Sequence, residues 1–188
     1  MKYYKINFDL ERESIIIGQC ENRAVVPQNE FEIGRKYSGS VECFTFSFDI
    51  EEGEDASDYL PNDNGWFVVS KKLKELIENM NTEIQFLPVL ITEKQKRKEI
   101  GEYFVANVLM LVDALCLEKS DYFETEIDQI GTIYTVSKFA IFEEKTNGAD
   151  IFKLANRQEI PLFSSERFKQ AVEKNNITGF CFREIRVI

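Results

Sequence analysis

Histidine is absent from this chain of 188 residues. Histidine is the commonest general base and metal-binding side chain near neutral pH, and it completes most catalytic pairs built on serine or cysteine. Few enzymes do without it in their active sites, so its absence argues against catalysis. We predict that the protein is not an enzyme and uses neither a metal nor a cofactor.

Cysteine, glycine and proline are also scarce. The four cysteines lie far apart and form no CxxC pair, which opposes a zinc or redox motif. They are Cys20, Cys43, Cys116 and Cys181. In a reducing compartment we expect four free thiols, mostly buried. Nine glycines and four prolines exclude collagen-like and low-complexity sequence.

No apolar run in the sequence suits export or a membrane. The opening residues, MKYYKINFDLERES, lack the apolar segment and the small-residue cleavage site of a signal peptide. The longest apolar stretch, residues 103–117, contains Asn107 and Asp113 and falls short of the roughly 20 residues that span a bilayer. We therefore expect a cytoplasmic protein.

Basic residues are outnumbered, with 23 Lys and Arg against 33 Asp and Glu, so the net charge is −10. Residues 1–65 hold 14 acidic and 6 basic side chains, which places −8 of that charge in the first third of the chain. A negative surface opposes binding to nucleic acids and to anionic membranes, because both interactions rely on cationic side chains. It favours a basic partner.

The pattern of apolar residues predicts an α+β fold with few helices and a mixed, largely antiparallel sheet. Phe44, Phe46 and Phe48 alternate with polar residues, which is typical of a half-buried strand. Further strands are predicted at residues 3–9, 14–18, 66–69, 84–92, 103–112 and 151–154. Pro88 places its strand at an edge or a bulge. The alternation within residues 126–142 predicts two strands that are bent at Gly131.

Two segments of the sequence resemble each other. Residues 66–80 align without gaps on residues 161–175, and Ser70 falls on Ser165. Each serine precedes an amphipathic helix and is placed to cap it. The simplest interpretation is two similar strand-helix-strand units. The alternative is that any capped amphipathic helix between two strands shows this pattern.

An acidic loop interrupts the predicted strands at residues 51–65, where six carboxylates occur without a Lys or Arg. An aromatic side chain among carboxylates on a loop is typical of a protein-binding surface. We predict a partner-binding surface formed by Asp55, Asp58, Tyr59, Asp63 and Trp66. Two alternatives stay open: Trp66 anchors the core, and Tyr59 tucks the loop against the body.

Other motifs fail to match their templates. The sequence of residues 60–71 partly matches a calcium-binding loop, but Leu60 and Lys71 occupy the positions where carboxylate ligands are required. No glycine-rich phosphate loop occurs. The basic run at residues 94–98 is more typical of a solvated surface than of a nucleic-acid site. We therefore predict no metal site, no cofactor site and no catalytic residues.

Three stretches of the chain carry a family resemblance. They are GWFVVS at residues 65–70 with the Lys-rich helix after it, residues 103–120, and DIFKL at residues 150–154 together with residues 161–182. In pattern and order they resemble the immunity protein 11 family of bacterial polymorphic toxin systems. The resemblance covers most of residues 60–188.

This resemblance implies a cytosolic protein that binds and neutralises a cognate toxin domain, without catalysis or cofactor. Many toxin domains are nucleases, whose basic surfaces hold phosphate, and an acidic loop would occlude such a surface. We expect one domain, residues 1–188, with an acidic, β-rich N-terminal lobe at 1–60 and an α+β core at 61–188. The alternatives are another protein-interaction module, or a small-molecule enzyme with a concave pocket of titratable groups.

Overall fold

Strands make up most of the regular structure of this chain. The computed structural model describes residues 1–128, 131–156 and 160–188, with 40% strand and 15% helix. In chain order the strands are β1 (Tyr3–Phe8), β2 (Gln19–Cys20), β3 (Phe44–Phe48), β4 (Tyr59–Leu60), β5 (Val68–Ser70), β6 (Ile84–Glu93), β7 (Tyr103–Val108), β8 (Leu111–Val112), β9 (Asp121–Ile127), β10 (Gly131–Lys138), β11 (Ala140–Ile141), β12 (Ile151–Leu154), β13 (Leu162–Ser165), β14 (Phe180–Glu184) and β15 (Arg186–Val187). The α-helices are α1 (Lys71–Ile77) and α2 (Glu166–Lys174), and the 3-10 helices are Gln28–Phe31, Leu117–Lys119 and Glu143–Thr146.

Two larger sheets contain most of these strands. One has six strands in the order β2-β3-β6-β7-β5-β4, and the other has five in the order β14-β1-β13-β12-β8. Neighbours are antiparallel except for the parallel pairs β3 with β6 and β12 with β8. The strands β9 and β10 form an antiparallel hairpin, and β11 pairs with β15 in parallel. The predicted α+β fold with mixed, largely antiparallel sheets and few helices is confirmed.

The first 60 residues contribute to both sheets. Strand β1 lies between β13 and β14, so the N-terminus is paired with the C-terminal part of the chain. Strands β2, β3 and β4 belong to the six-stranded sheet. Strand pairing therefore crosses the predicted boundary at residue 60, and the division of one domain into a lobe at 1–60 and a core at 61–188 stays a prediction.

Apolar side chains collect in three clusters. The first surrounds Trp66, the second receives Leu73 of α1 and Phe168 of α2, and the third lies around Phe152 and Phe163. Helices as short as α1 and α2 are marginal in isolation. Their burial against the sheets is therefore what makes them stable.

The two predicted strand-helix-strand units are present, and they correspond in three dimensions. The strand order β4-β5-β7-β6 in one sheet matches β12-β13-β1-β14 in the other, so β1 takes the place of β7. Ser70 accepts a hydrogen bond from the backbone N–H of Leu73 at 3.2 Å, and Ser165 accepts one from Phe168 at 3.2 Å. Both serines are thus helix N-caps, as predicted.

The strand predictions at residues 14–18 and 126–142 need correction. Residues 14–18 form no strand and make only isolated bridges to the acidic loop. Residues 126–142 are not two strands bent at Gly131. Instead, β10 begins at Gly131 and folds back on β9, and the positive φ of 88° at this residue suits glycine. Pro88 lies on β6 opposite β7, just before the pairing of β6 with β3 begins at Val89, so β6 has only one neighbour there.

Candidate functional site

The acidic loop lies alongside an earlier part of the chain. The backbone N–H of Ile16 donates to the carbonyl of Asp55 at 3.0 Å, and the N–H groups of Glu54 and Asp55 donate to the carbonyl of Ser14 at 2.9 and 2.8 Å. Gly53 permits this approach, because a Cβ there would meet the carbonyl oxygen of Ile15 at 2.2 Å. These contacts place two acidic segments side by side.

The two segments together form what we term the acidic patch. All of its side chains are exposed, and none has an ion-pair partner within the described ranges of the chain. The acidic patch comprises Glu11, Glu13, Glu51, Glu52, Glu54 and Asp55. Uncompensated carboxylates at this density produce a negative surface potential that attracts a basic partner.

Asp55 is the one predicted contact residue that belongs to the acidic patch. Asp58 is mostly buried, since only 15% of its side chain is exposed. Its carboxylate accepts hydrogen bonds from the hydroxyl of Ser70 at 2.6 Å and from the backbone N–H of Thr178 at 3.0 Å. Asp58 therefore links the start of α1 to the turn after α2, and its side chain has a structural role.

Asp63 is partly exposed and also has partners within the chain. It forms an ion pair with Arg23 and accepts a hydrogen bond from the backbone N–H of Cys20 at 3.0 Å. These contacts fix the loop against the edge strand β2. Asp63 therefore adds less free negative charge than Asp55, because Arg23 compensates it.

The two aromatic residues of the predicted surface are buried. Tyr59 is 5% exposed and contacts the rings of Phe8 and Phe180, with centroids 4.5 and 4.9 Å apart. Trp66 is 2% exposed, and its indole N–H donates to the carbonyl of Gln28 at 2.7 Å. Both alternatives left open by the sequence fit this geometry, with Trp66 in the core and Tyr59 holding the loop down.

A cleft of about 450 Å³ lies where the two larger sheets meet. Tyr59 and Trp66 line it together with residues of β1, β7 and β14. Lys153 also lines it and is buried, and its ammonium group donates hydrogen bonds to the carbonyls of Phe31 and Glu32. The lining of the cleft is thus mainly apolar, both aromatic and aliphatic, and it includes the cationic residues Lys153 and Arg183.

Two titratable groups of the cleft have shifted pKa values. Burial raises the pKa of the Tyr59 hydroxyl further above neutrality. Burial also raises the pKa of Glu32, although the charge of Lys153 opposes this shift. Because useful proton transfer needs a pKa near the working pH, the shift of Glu32 is in a catalytically useful direction, whereas that of Tyr59 is not. Glu32 is therefore a carboxyl on which the enzyme alternative could depend.

Other features of the described residues bear on the remaining predictions. No group of three or more Cys, Asp or Glu side chains in these ranges is arranged to hold a metal ion. All four thiols are free; Cys20 and Cys116 are buried, Cys181 is partly buried and Cys43 is exposed. Neither α1 nor α2 has the length and apolarity to cross a membrane, and no other helix in the described ranges does.

Comparison with known families matches residues 2–187 to the Immunity protein family (Imm11). The chain belongs to the Imm11 family. Membership indicates a role in immunity against a toxin, which agrees with the resemblance found in the sequence, and it extends over the first 60 residues. No match to a curated protein is found.

Sequence reasoning found only part of the acidic patch of this Imm11 member. Glu51, Glu52 and Glu54 stood out as part of an acidic loop, but Glu11 and Glu13 did not, because they lie some forty residues earlier. Only the backbone pairing of residues 14–16 with 54–55 brings them together. No sequence pattern linked Glu11 and Glu13 to the acidic loop.

Proposed function

We propose that this chain neutralises a cognate toxin domain in the cytoplasm by binding it, with the acidic patch occluding a basic surface of the toxin. Membership of the Imm11 family supports the immunity role. The observation that carries the binding mode is the set of six exposed carboxylates without an ion-pair partner in the described residues. The proposal includes no catalytic step and no cofactor.

The chemistry of the patch suggests what kind of toxin it would meet. A nuclease holds its substrate through cationic side chains that contact phosphates, and carboxylates can take the place of those phosphates. Complementary charge also raises the association rate, by roughly 10- to 1,000-fold for steered encounters. Fast capture suits an inhibitor that must act before the toxin does. We therefore propose a basic nuclease domain as the partner.

The contact surface proposed here differs from the five residues named from the sequence. Asp55 remains part of it, whereas the charge of Asp63 is compensated by Arg23. Asp58, Tyr59 and Trp66 support the loop from below, because their polar groups and rings are engaged within the fold. Substituting these three would destabilise the fold, so they are unsuitable for mapping the interface.

The test removes charge from the acidic patch without changing side-chain size. The variant carries Glu51→Gln, Glu52→Gln, Glu54→Gln and Asp55→Asn. The control carries Glu75→Gln, Glu83→Gln, Glu118→Gln and Glu144→Gln, which removes the same charge from exposed positions elsewhere. Affinity for the C-terminal domain of the large protein encoded immediately upstream is measured between 50 and 300 mM salt, about the range over which surface charges become screened.

We expect the patch variant to bind more weakly and to show a flatter dependence on salt, whereas the control keeps the wild-type slope. In a neutral host that expresses the toxin domain, the wild-type chain should restore colony formation and the patch variant should restore less. Equal affinity and equal slope for the patch and control variants would exclude this surface. Toxicity that the wild-type chain does not relieve would contradict the proposed immunity for this pair.

The enzyme alternative makes a different prediction. If proton transfer by Glu32 in the cleft were responsible for protection, Glu32→Gln would abolish rescue while leaving the complex intact; burial raises the pKa of this carboxyl. Immunity by occlusion predicts that Glu32→Gln rescues as well as the wild type. Colony counts with a sizing column for complex formation separate the two.

A further inference from the structure

The hairpin formed by β9 and β10, which we term the arm, pairs with no other strand in the described part of the chain. A two-stranded ribbon alone is marginally stable in water. The position of this hairpin outside the larger sheets therefore needs an explanation. The base of the arm is held in place: the Ser120 hydroxyl accepts a hydrogen bond from the N–H of Ala140 at 3.0 Å, and Val136 packs against the third apolar cluster.

The two faces of the arm differ in chemistry. Directly opposed residues share a face, and the register pairs Phe123 with Thr135 and Thr125 with Ile133. These belong to the outer face, which carries Phe123, Thr125, Ile127, Ile133 and Thr135. The one charged residue on this side of β9 is Asp121 at the base of the arm, which is paired with Lys138. The opposite face contains Val136, which packs on the body, so the outer face points away from the body.

Phe123 on the outer face is the most exposed large apolar side chain in the described residues, with 71% of its surface accessible. Ile127 on the same face is 41% exposed. Burial of a side chain of this kind is favourable, but the folded chain by itself leaves the ring exposed to water. A partner surface that covers the ring would obtain this favourable burial.

We propose that the outer face of the arm is a second contact surface for the toxin domain, an inference that rests on the proposed function. The arm contains four acids and one lysine, and Lys138 pairs with Asp121 at 2.7 Å. Glu124, Glu126 and Asp128 have no ion-pair partner within the described ranges. Glu124 and Glu126 lie on the opposite face of the same narrow ribbon, so the exposed ring belongs to a negatively charged arm, which suits a basic partner with an apolar depression.

A second copy of this chain fits the arm less well. The arm has a net charge of −3, so two arms would repel each other. From strand rise and spacing, one face of a two-stranded ribbon of this length covers about 230 Å². A stable interface needs roughly 800 Å² on each partner. The arm can therefore add to a toxin interface more readily than it can form a dimer by itself.

The experiment measures binding of arm variants to the toxin domain encoded immediately upstream. The tagged domain is co-expressed with the chain, separated from it in guanidinium, refolded and immobilised. The variants are Phe123→Ser and Ile133→Thr, and Phe123→Tyr is the conservative substitution. The control is Val25→Ser, which removes another highly exposed apolar side chain outside the arm. Thermal unfolding of each variant confirms that it is folded.

We expect Phe123→Ser to weaken binding at least tenfold through faster dissociation, by the same factor at low and high salt. Phe123→Tyr and Val25→Ser should bind as the wild type does. Unchanged affinity of both Phe123→Ser and Ile133→Thr, with wild-type binding intact, overturns the arm as a contact but leaves the proposed function standing. A free wild-type chain that sediments as a dimer, and a Phe123→Ser monomer, would assign the face to self-association instead. Failure of the wild-type chain to bind removes the proposed function and this inference together.

Discussion

The hydroxyl of Ser165 donates a hydrogen bond to the carboxylate of Asp150 at 2.5 Å. The same carboxylate accepts from the backbone N–H of Asn81 at 2.8 Å and from the guanidinium of Arg167. Asp150 is fully buried, so these donors replace the water that its charge would otherwise bind. One side chain thus joins the cap of α2 to the turn that follows α1.

Asp58 repeats this arrangement in the other unit. It accepts from the cap Ser70 at 2.6 Å and from the N–H of Thr178, which lies in the turn after α2. Each aspartate therefore binds the cap serine of its own unit and the post-helix turn of the other unit. The two units are thus linked reciprocally, and the cap of each helix is tied to the turn that follows the other helix.

Replacing Asp150 by alanine should be strongly destabilising. The substitution leaves the buried hydroxyl of Ser165 and the N–H of Asn81 without their acceptor. We expect a loss of roughly 2–4 kcal/mol in the free energy of unfolding, measured by urea denaturation. Asp121→Ala, which removes an exposed ion pair with Lys138, should cost under about 1 kcal/mol. Similar losses for the two variants would contradict the structural role of Asp150.

Asp150 should also contribute to the pH dependence of stability. Burial alone would raise the pKa of its carboxyl, but hydrogen bonds from Arg167, Ser165 and the backbone of Asn81 outweigh burial and lower the pKa below its ordinary value. A depressed folded-state pKa stabilises the fold above the unfolded-state pKa of about 3.9, and this contribution disappears as pH falls through the folded-state value.

The measurement compares the wild type with Asp150→Asn by urea denaturation from pH 6 to pH 2.5. We expect the stability advantage of the wild type to be constant from pH 6 to about pH 5 and to shrink below about pH 4, because the amide side chain of the variant does not titrate. An advantage that stays the same across the whole range would show that the pKa of Asp150 is not depressed in the folded state.

Local patterns in the sequence predicted the local parts of this structure. Ser70 and Ser165 were identified as caps because capping acts over three residues, and the alternation of Phe44, Phe46 and Phe48 marked β3. Long-range pairing left no comparable signal. Tyr3 pairs with Ser165 across 162 positions, and no property of either residue indicates that it pairs with the other.

The candidate site was harder to predict for the same reason. The carboxylates of residues 51–65 look equivalent in sequence, yet Asp55 is exposed and Asp58 is mostly buried. The difference depends on Thr178, which reaches Asp58 only in the folded chain. The exposure of Phe123 was equally hidden, because no strand was predicted at residues 121–125 and alternation does not show whether an apolar face is covered.

Two neighbouring serines should respond in opposite ways to substitution. Ser164 and Ser165 are both fully buried, but the hydroxyl of Ser164 has no hydrogen-bond partner in the described residues. Ser165→Ala removes the cap of α2 and the bond to Asp150, and should cost about 1–3 kcal/mol in unfolding free energy. Ser164→Ala removes an unpaired polar group and should be neutral or slightly stabilising. Urea midpoints of the two variants, measured together, check this; equal losses would contradict it.

Trp66 should matter for stability and not for toxin affinity. Its indole N–H donates to the carbonyl of Gln28, and its ring contacts Phe31 with centroids 4.6 Å apart. Trp66→Phe loses the hydrogen bond and leaves unfilled volume in the first apolar cluster, so we expect a cost of roughly 1–3 kcal/mol. Because the ring is 2% exposed, the folded variant should bind the toxin domain with wild-type affinity. Urea denaturation and binding are measured on the same preparation. Weakened binding with unchanged stability would return Trp66 to the contact surface predicted from the sequence.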